Sequence, residues 1–186
     1  TFLNCVLFND NDVADFMNAR HKSIGLTGFG LACMKENIDI VEYLLHHQKS
    51  KELLGDSHQL SLGFIGASIG DSRKVLDMLL KLPNHKDFVN EKLHDGKTGF
   101  MHACLAGNLS AVQFIISFSS FNKNDIAELI NKKDTNGCSG FALACSNGKV
   151  DIVKLLMDHE KCKEFVFADD HFGMGFIEAS RTQSYS

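Results

Sequence analysis

The chain has 186 residues, 44% of them apolar and 23% charged, an ordinary globular composition whose length suits one domain. Lysine and arginine number 19 against 23 acidic side chains, and the formal charge of −4 speaks against a nucleic-acid binder acting through a basic face. No apolar run reaches the roughly 18 residues of a membrane span, and no basic stretch leads into an apolar one as a secretory signal would. An intracellular, cytoplasmic protein with no membrane partner is expected.

Taken in chain order, the sequence repeats itself. A weak unit begins near residue 1, with Phe2, Cys5, Val13-Ala14 and Met17. Complete units begin near 27, 62, 98 and 139, each opening on a Gly-Phe pair: Gly28-Phe29, Gly63-Phe64, Gly99-Phe100 and Gly140-Phe141. A last, partial unit begins near 174 with Gly175-Phe176. The Phe-to-Phe spacings from Phe29 onward are 35, 36, 41 and 35, a period that signals a solenoid or array. Three residues past each Phe stands Ala32, Ala67, Ala103, Ala144 or Ala179, followed by Cys33, Ser68, Cys104, Cys145 or Ser180. Further on come the apolar pairs Ile40-Val41, Val75-Leu76, Ala111-Val112 and Ile152-Val153. Leu44-Leu45, Leu79-Leu80, Ile115-Ile116 and Leu156-Met157 follow one turn later.

This pattern predicts two short helices per unit. The first is lined by small residues that allow close approach of the next unit, and the second carries an i, i+1, i+4, i+5 apolar stripe. Thr27, Thr98 and Ser139 are natural N-caps of the first helix, whereas Leu62 and Met174 cannot cap. Ala106-Gly107-Asn108 and Asn147-Gly148-Lys149 read as turns between helices. The longest loop, from Ser117 to Lys133, has room for an extra helical turn over residues 124–130.

At these positions the sequence resembles the ankyrin-repeat family. Thr98-Gly-Phe-Met-His-Ala-Cys-Leu-Ala-Gly-Asn108 and Ser139-Gly-Phe-Ala-Leu-Ala-Cys-Ser-Asn-Gly-Lys149 are similar to its T-P-L-H-x-A-A-x-x-G-H. Ile152-Val-Lys-Leu-Leu156 is similar to its I-V-x-x-L-L, and Ile130-Asn131 with Asp134, Asn136 and Gly137 to its finger motif. The resemblance implies an all-α solenoid of stacked helix–turn–helix units with short β-hairpin fingers, four full units plus partial ones at both ends. Glycine replaces the family's proline in every unit, giving up a preset φ. The family's histidine is absent from Gly30, Ile65, Met101, Ala142 and Ile177, and the finger before Gly63 is poorly matched.

Signals of chemistry are weak. Gly66-Ala-Ser-Ile-Gly70 has the form of a hydrolase nucleophile elbow, but Ser68 falls in register with the repeat cysteines, inside a helix. Gly96-Lys97-Thr98 lacks the glycine a phosphate loop needs five residues earlier, where Glu91 stands. No C-x₂-C pair exists, and His159 with Cys162 is the tightest ligand pair. Cys33, Cys104 and Cys145 are expected in the core and Cys138 and Cys162 to be reactive, with Cys138 placed in a finger. His46-His47 suits the end of a helix. No catalytic residue, metal or cofactor is expected.

The expected function is non-enzymatic protein–protein interaction, with another protein or a peptide segment on the concave face and the finger tips. The alternative is a scaffold or targeting fragment of a larger enzyme or secreted effector whose activity lies elsewhere. Candidate partner-binding residues on the first helices are Phe8, Met34, Lys35, Ile69, Leu105, Ser146 and Asn147. Those on the fingers are His58, Gln59, His94, Asp95, Thr135, Asn136 and Cys138. Met34, Ile69 and Leu105 form an apolar row of the kind that marks an interaction site. Neither end carries a polar cap, so self-association through the ends is also expected.

Overall fold

The computed structural model describes residues 10–48 and 57–162. Phe8, the units near residues 1 and 174 and the expectations about the chain's ends lie largely or wholly outside these residues. The helices are α1 (Asp10–Asn18), α2 (Gly28–Met34), α3 (Ile38–His46), α4 (Ser57–Ile69), α5 (Arg73–Leu80), α6 (His85–Phe88), α7 (Gly99–Ala106), α8 (Leu109–Ser117), α9 (Lys123–Asn131), α10 (Gly140–Ser146) and α11 (Val150–Asp158). They stack in two layers. The inner layer is α2, α4, α7 and α10, and the outer layer is α3, α5, α8 and α11, each helix packed on its neighbour in the same layer.

Inner helices start where the sequence offers a cap. The side-chain oxygens of Thr27, Thr98 and Ser139 accept from the amides of Gly30, Met101 and Ala142 at 3.4, 3.3 and 3.2 Å. Their first aromatic residues, Phe29, Phe64, Phe100 and Phe141, are all buried, as are Ala32, Ala67, Ala103 and Ala144. From the outer layer Val41, Leu44, Val75, Leu79, Val112, Ile115, Ile152 and Leu156 complete one continuous core. Each such side chain stabilises the fold by about 1.5–3 kcal/mol. Ile40 departs from the pattern and is exposed. In α1, Val13 and Met17 are buried, as the weak first unit implies.

Each inner helix ends in the same turn. The amides of Asn37, Ser72, Asn108 and Lys149 donate to the carbonyls of Ala32, Ala67, Ala103 and Ala144 at 2.9–3.0 Å, a helix-ending bond that requires one left-handed residue just before it. Gly107 and Gly148 supply it in two units (φ +90° and +63°), but Glu36 and Asp71 are forced into it in the others (φ +53° and +55°). A side chain there costs about 1–2 kcal/mol. Asp71 has a compensation, since its carboxylate accepts from the Ala111 amide of the next unit at 2.7 Å. Glu36 is exposed, with none described. Glu36→Gly is therefore expected to raise stability by about 1 kcal/mol in chemical denaturation. No gain would mean that Glu36 makes a compensating contact.

The expected form of the fingers is corrected. Among the described residues the fingers are tight turns, and the β-structure amounts to an isolated bridge between Arg20 and Thr27. They close with Leu93 N–H to Lys97 O (3.0 Å) and Asp134 N–H to Cys138 O (2.9 Å) around left-handed Gly96 and Gly137. Among the described residues the unit at Gly63, whose finger the sequence matches poorly, shows no finger turn. Because Leu62 cannot cap, the helix runs back to Ser57, and α4 is 13 residues long. Ser57 and Ser61 instead donate to the Glu91 carboxylate at 2.9 and 3.2 Å. The loop from Ser117 folds further than expected, into α9 with a full capping box between Asn122 and Asp125.

Candidate functional site

The finger turns and the inner helices share one face. A β-carbon on Gly25 would lie 3.1 Å from His94 Nδ1, so the first and second described finger tips touch. The second and third are joined by Lys92 Nζ donating to Lys133 O (2.7 Å) and Thr135 Oγ1 donating to Asp95 O (3.2 Å). Below them lie two apolar clusters separate from the main core. One holds Leu26, Leu62, Ile65 and Leu93, with Met34 and Ile69 half-buried against it. The other holds Met101, Cys138, Ala142 and Leu143, with Leu105 half-buried.

Polar groups fill the space between these clusters. Lys97 Nζ lies 3.5 Å from both Asp95 and Asp134. Asp134 is almost fully buried, where its carboxylate accepts from the amides of Asn136 and Cys138 at 2.9 Å and holds the third turn closed. Burial pushes the Asp95 carboxyl up, but the Lys97 amide, His102 and the Lys97 ammonium outweigh it and leave it below the usual range. His102 stands 3.5 Å from Asp95. Burial holds its pKa below the ordinary histidine value, which the Asp95 charge only partly offsets. His58 bridges Arg20 (2.5 Å) and Glu91 (3.4 Å). A guanidinium only donates, so Nε2 accepts and Nδ1 carries the proton given to Glu91.

Of the candidate residues, the structure leaves Lys35, His94, Thr135, Asn136 and Asn147 exposed. Asp95 and Ser146 are half-buried and bonded within their own turns. His58 is corrected: it lies half-buried in α4 rather than in a finger, bonded to Arg20 and Glu91 of the turns on either side. Gln59 is corrected: it is buried in α4, accepting from Thr27 Oγ1 and donating to Asn18 at 3.3 Å each. Cys138 is also corrected, because Met101 and Ala142 cover it from the neighbouring helices. The row Met34–Ile69–Leu105 is half-buried rather than open, so Ile69→Asp is expected to cost about 1–3 kcal/mol of stability by placing a charge against Leu62 and Ile65. A thermal melt matching the wild type would show that Ile69 is free of that packing. Sequence reasoning missed Arg20 and Lys92, although both stand a few residues before a turn glycine.

The chemical motifs resolve the same way. Ser68 is fully buried inside α4, not at a strand-to-helix turn, so Gly66–Gly70 is no nucleophile elbow. Gly96-Lys97-Thr98 is the second finger turn entering α7. Asn108 Nδ2 donates to Ser68 O and Ile69 O at 2.8 Å and ties the end of α7 to the preceding unit. His46 ends α3 with its ring on Glu42 O. Cys162 is buried, its thiol pushed up to about 12 by burial and its Sγ 3.5 Å from His159 Nδ1. Burial also raises Cys33 and Cys104 far above the usual thiol range, and Cys145 less, since Cys145 is half-exposed. Mass-resolved labelling of the native protein should therefore modify Cys145 before Cys33, Cys104, Cys138 and Cys162. Fast labelling of Cys138 would overturn the packing of its finger.

Two layers of paired helices, joined by turns that present one continuous face, define a solenoid of recognition repeats. A family model of ankyrin repeats in three copies matches residues 63–166, and the chain belongs to the ankyrin-repeat family. Comparison with curated protein sequences finds no match. Ankyrin repeats generally act as protein–protein interaction modules and are typically non-catalytic. No helix among the described residues is long and apolar enough to cross a membrane.

Proposed function

We propose that this array is a non-enzymatic module that binds another protein along the face formed by its inner helices and finger turns. The observation that carries this reading is the pair of apolar clusters lying on that face apart from the main core, each with half-exposed side chains at its edge. Lys35, His94, Thr135, Asn136 and Asn147 are exposed, adjoin members of these helices and turns in sequence, and would orient the partner. An apolar centre with a polar rim is the anatomy of a recognition surface. Binding here needs no bond-making chemistry, only complementarity.

The test is steric. Tryptophan at Asn136 and Asn147 adds uncharged bulk to the face, while Gln113→Trp adds it to exposed α8 in the outer layer. Capture with the full chain should lose its bound protein with the first pair, by about tenfold or more, and keep it with Gln113→Trp. Loss with Gln113→Trp alone would place the interface on the outer layer and end this reading.

A further inference from the structure

The finger edge is rich in cations, and its most exposed charges are positive. The three finger segments, residues 19–27, 90–98 and 131–139, hold six cations (Arg20, Lys22, Lys92, Lys97, Lys132 and Lys133) and three carboxylates (Glu91, Asp95 and Asp134). Asp134 is buried, and Glu91 and Asp95 are half-buried and bonded within the array. Glu91 accepts from Ser57 and Ser61, Asp95 from the Lys97 amide, and Asp134 from Asn136 and Cys138. The exposed charges of these segments, Arg20, Lys22 and Lys92, are all positive, and exposed His94 lies beside them. Contacts between successive tips make this one edge rather than three separate loops. The whole chain nevertheless carries −4, so the finger edge is a local reversal of sign.

Resting on the protein-binding reading above, we infer that the partner is an acidic protein segment with interspersed apolar side chains. Its carboxylates would lie along Lys22, Lys92 and Arg20, and its apolar side chains would reach the edges of the two clusters at Met34, Ile69 and Leu105. Charge complementarity of this kind selects the partner and speeds encounter, while the apolar contacts slow its release. A basic partner would meet uncompensated cations on this edge. A neutral one would leave them unused.

The full chain is titrated with four synthetic peptides of equal length: alternating Glu and Leu, alternating Lys and Leu, alternating Ser and Leu, and alternating Glu and Ser. The Glu–Leu peptide should bind tightest and weaken by about tenfold when salt is raised from roughly 0.05 M to 0.5 M, where screening falls from over 10 Å to a few. Lys22→Glu/Lys92→Glu should remove most of that affinity, and Lys22→Gln/Lys92→Gln an intermediate share. Lys74→Glu/Lys154→Glu, on the outer layer, should change it little. The neutral pair carries the test should charge reversal disturb the finger that Lys92 helps hold. Equal binding of the Lys–Leu or Ser–Leu peptide would overturn the acidic assignment, as would indifference to both Lys22/Lys92 pairs. Equal binding of Glu–Ser, of phosphatidylserine vesicles or of duplex DNA would also overturn it, showing a surface that takes any polyanion. A captured protein that needs Asn136 and Asn147 unblocked but ignores the charge variants would leave the protein-binding reading intact while ending this one.

Discussion

Alanine in place of Gly66 is expected to destabilise the array by about 3 kcal/mol, although alanine is the better helix former by about 1 kcal/mol. Gly66 lies in the middle of α4, where its missing side chain lets the backbone of α2 approach directly. A β-carbon there would overlap the Gly30 carbonyl oxygen, and one on Gly70 would overlap the Met34 carbonyl oxygen. Gly30 returns the contact, since its own β-carbon would lie 2.9 Å from Leu62 O. Backbone cannot rotate away as a side chain can, so the two helices would have to separate and open the core around Phe29 and Phe64. Urea denaturation of Gly66→Ala at unchanged m-value measures this. A neutral or stabilising result would mean that α2 and α4 lie farther apart than described.

Alanine at Gly99 is expected to cost about 1–2 kcal/mol alone and clearly less when Phe64 is made leucine. Glycine stands where the family's motif has proline, and the structure supplies the reason. A β-carbon on Gly99 would lie 2.8 Å from Phe64 Cδ1 and 2.9 Å from Ser68 Oγ. The same holds one unit on, where Gly140 faces Phe100 at 2.9 Å, and one unit back, where a β-carbon on Gly63 would overlap the Phe29 ring. Each phenylalanine thus fills the space that a side chain on the next unit's Gly-Phe glycine would need. The order lost by giving up proline is offset by a larger buried ring. A double-mutant cycle on Phe64→Leu and Gly99→Ala should show a coupling of at least about 1 kcal/mol. Simple additivity would separate the two residues and leave the glycines unexplained.

These pairs also show what was legible in the sequence. The register was, because caps, small residues and apolar stripes act within one helix: Thr27, Thr98 and Ser139 cap as read, and the repeated Phe and Ala positions are buried. What depended on residues far along the chain was not. Leu62 announced a missing cap, but only Glu91, some thirty residues on, explains why the helix can begin at Ser57. Gln59 and Cys138 looked like finger residues by spacing and are buried by partners from other units. Glu36 and Asp71 gave no local sign of a left-handed conformation, which the turn geometry of the repeat imposes on them. Of the candidate residues, Lys35, His94, Thr135, Asn136 and Asn147 are exposed, whereas the apolar row Met34–Ile69–Leu105 is half-packed because its contacts come from neighbouring units. The basic edge was missed because the count of −4 averages over both layers.

The most direct measurement is amide hydrogen exchange of the full chain, alone and with the protein it captures. Binding along the inner face predicts added protection in the finger turns at residues 20–27, 92–97 and 132–138 and in the C-terminal ends of α2, α7 and α10, with the outer helices α3, α5, α8 and α11 unchanged. Protection confined to those outer helices would contradict the account.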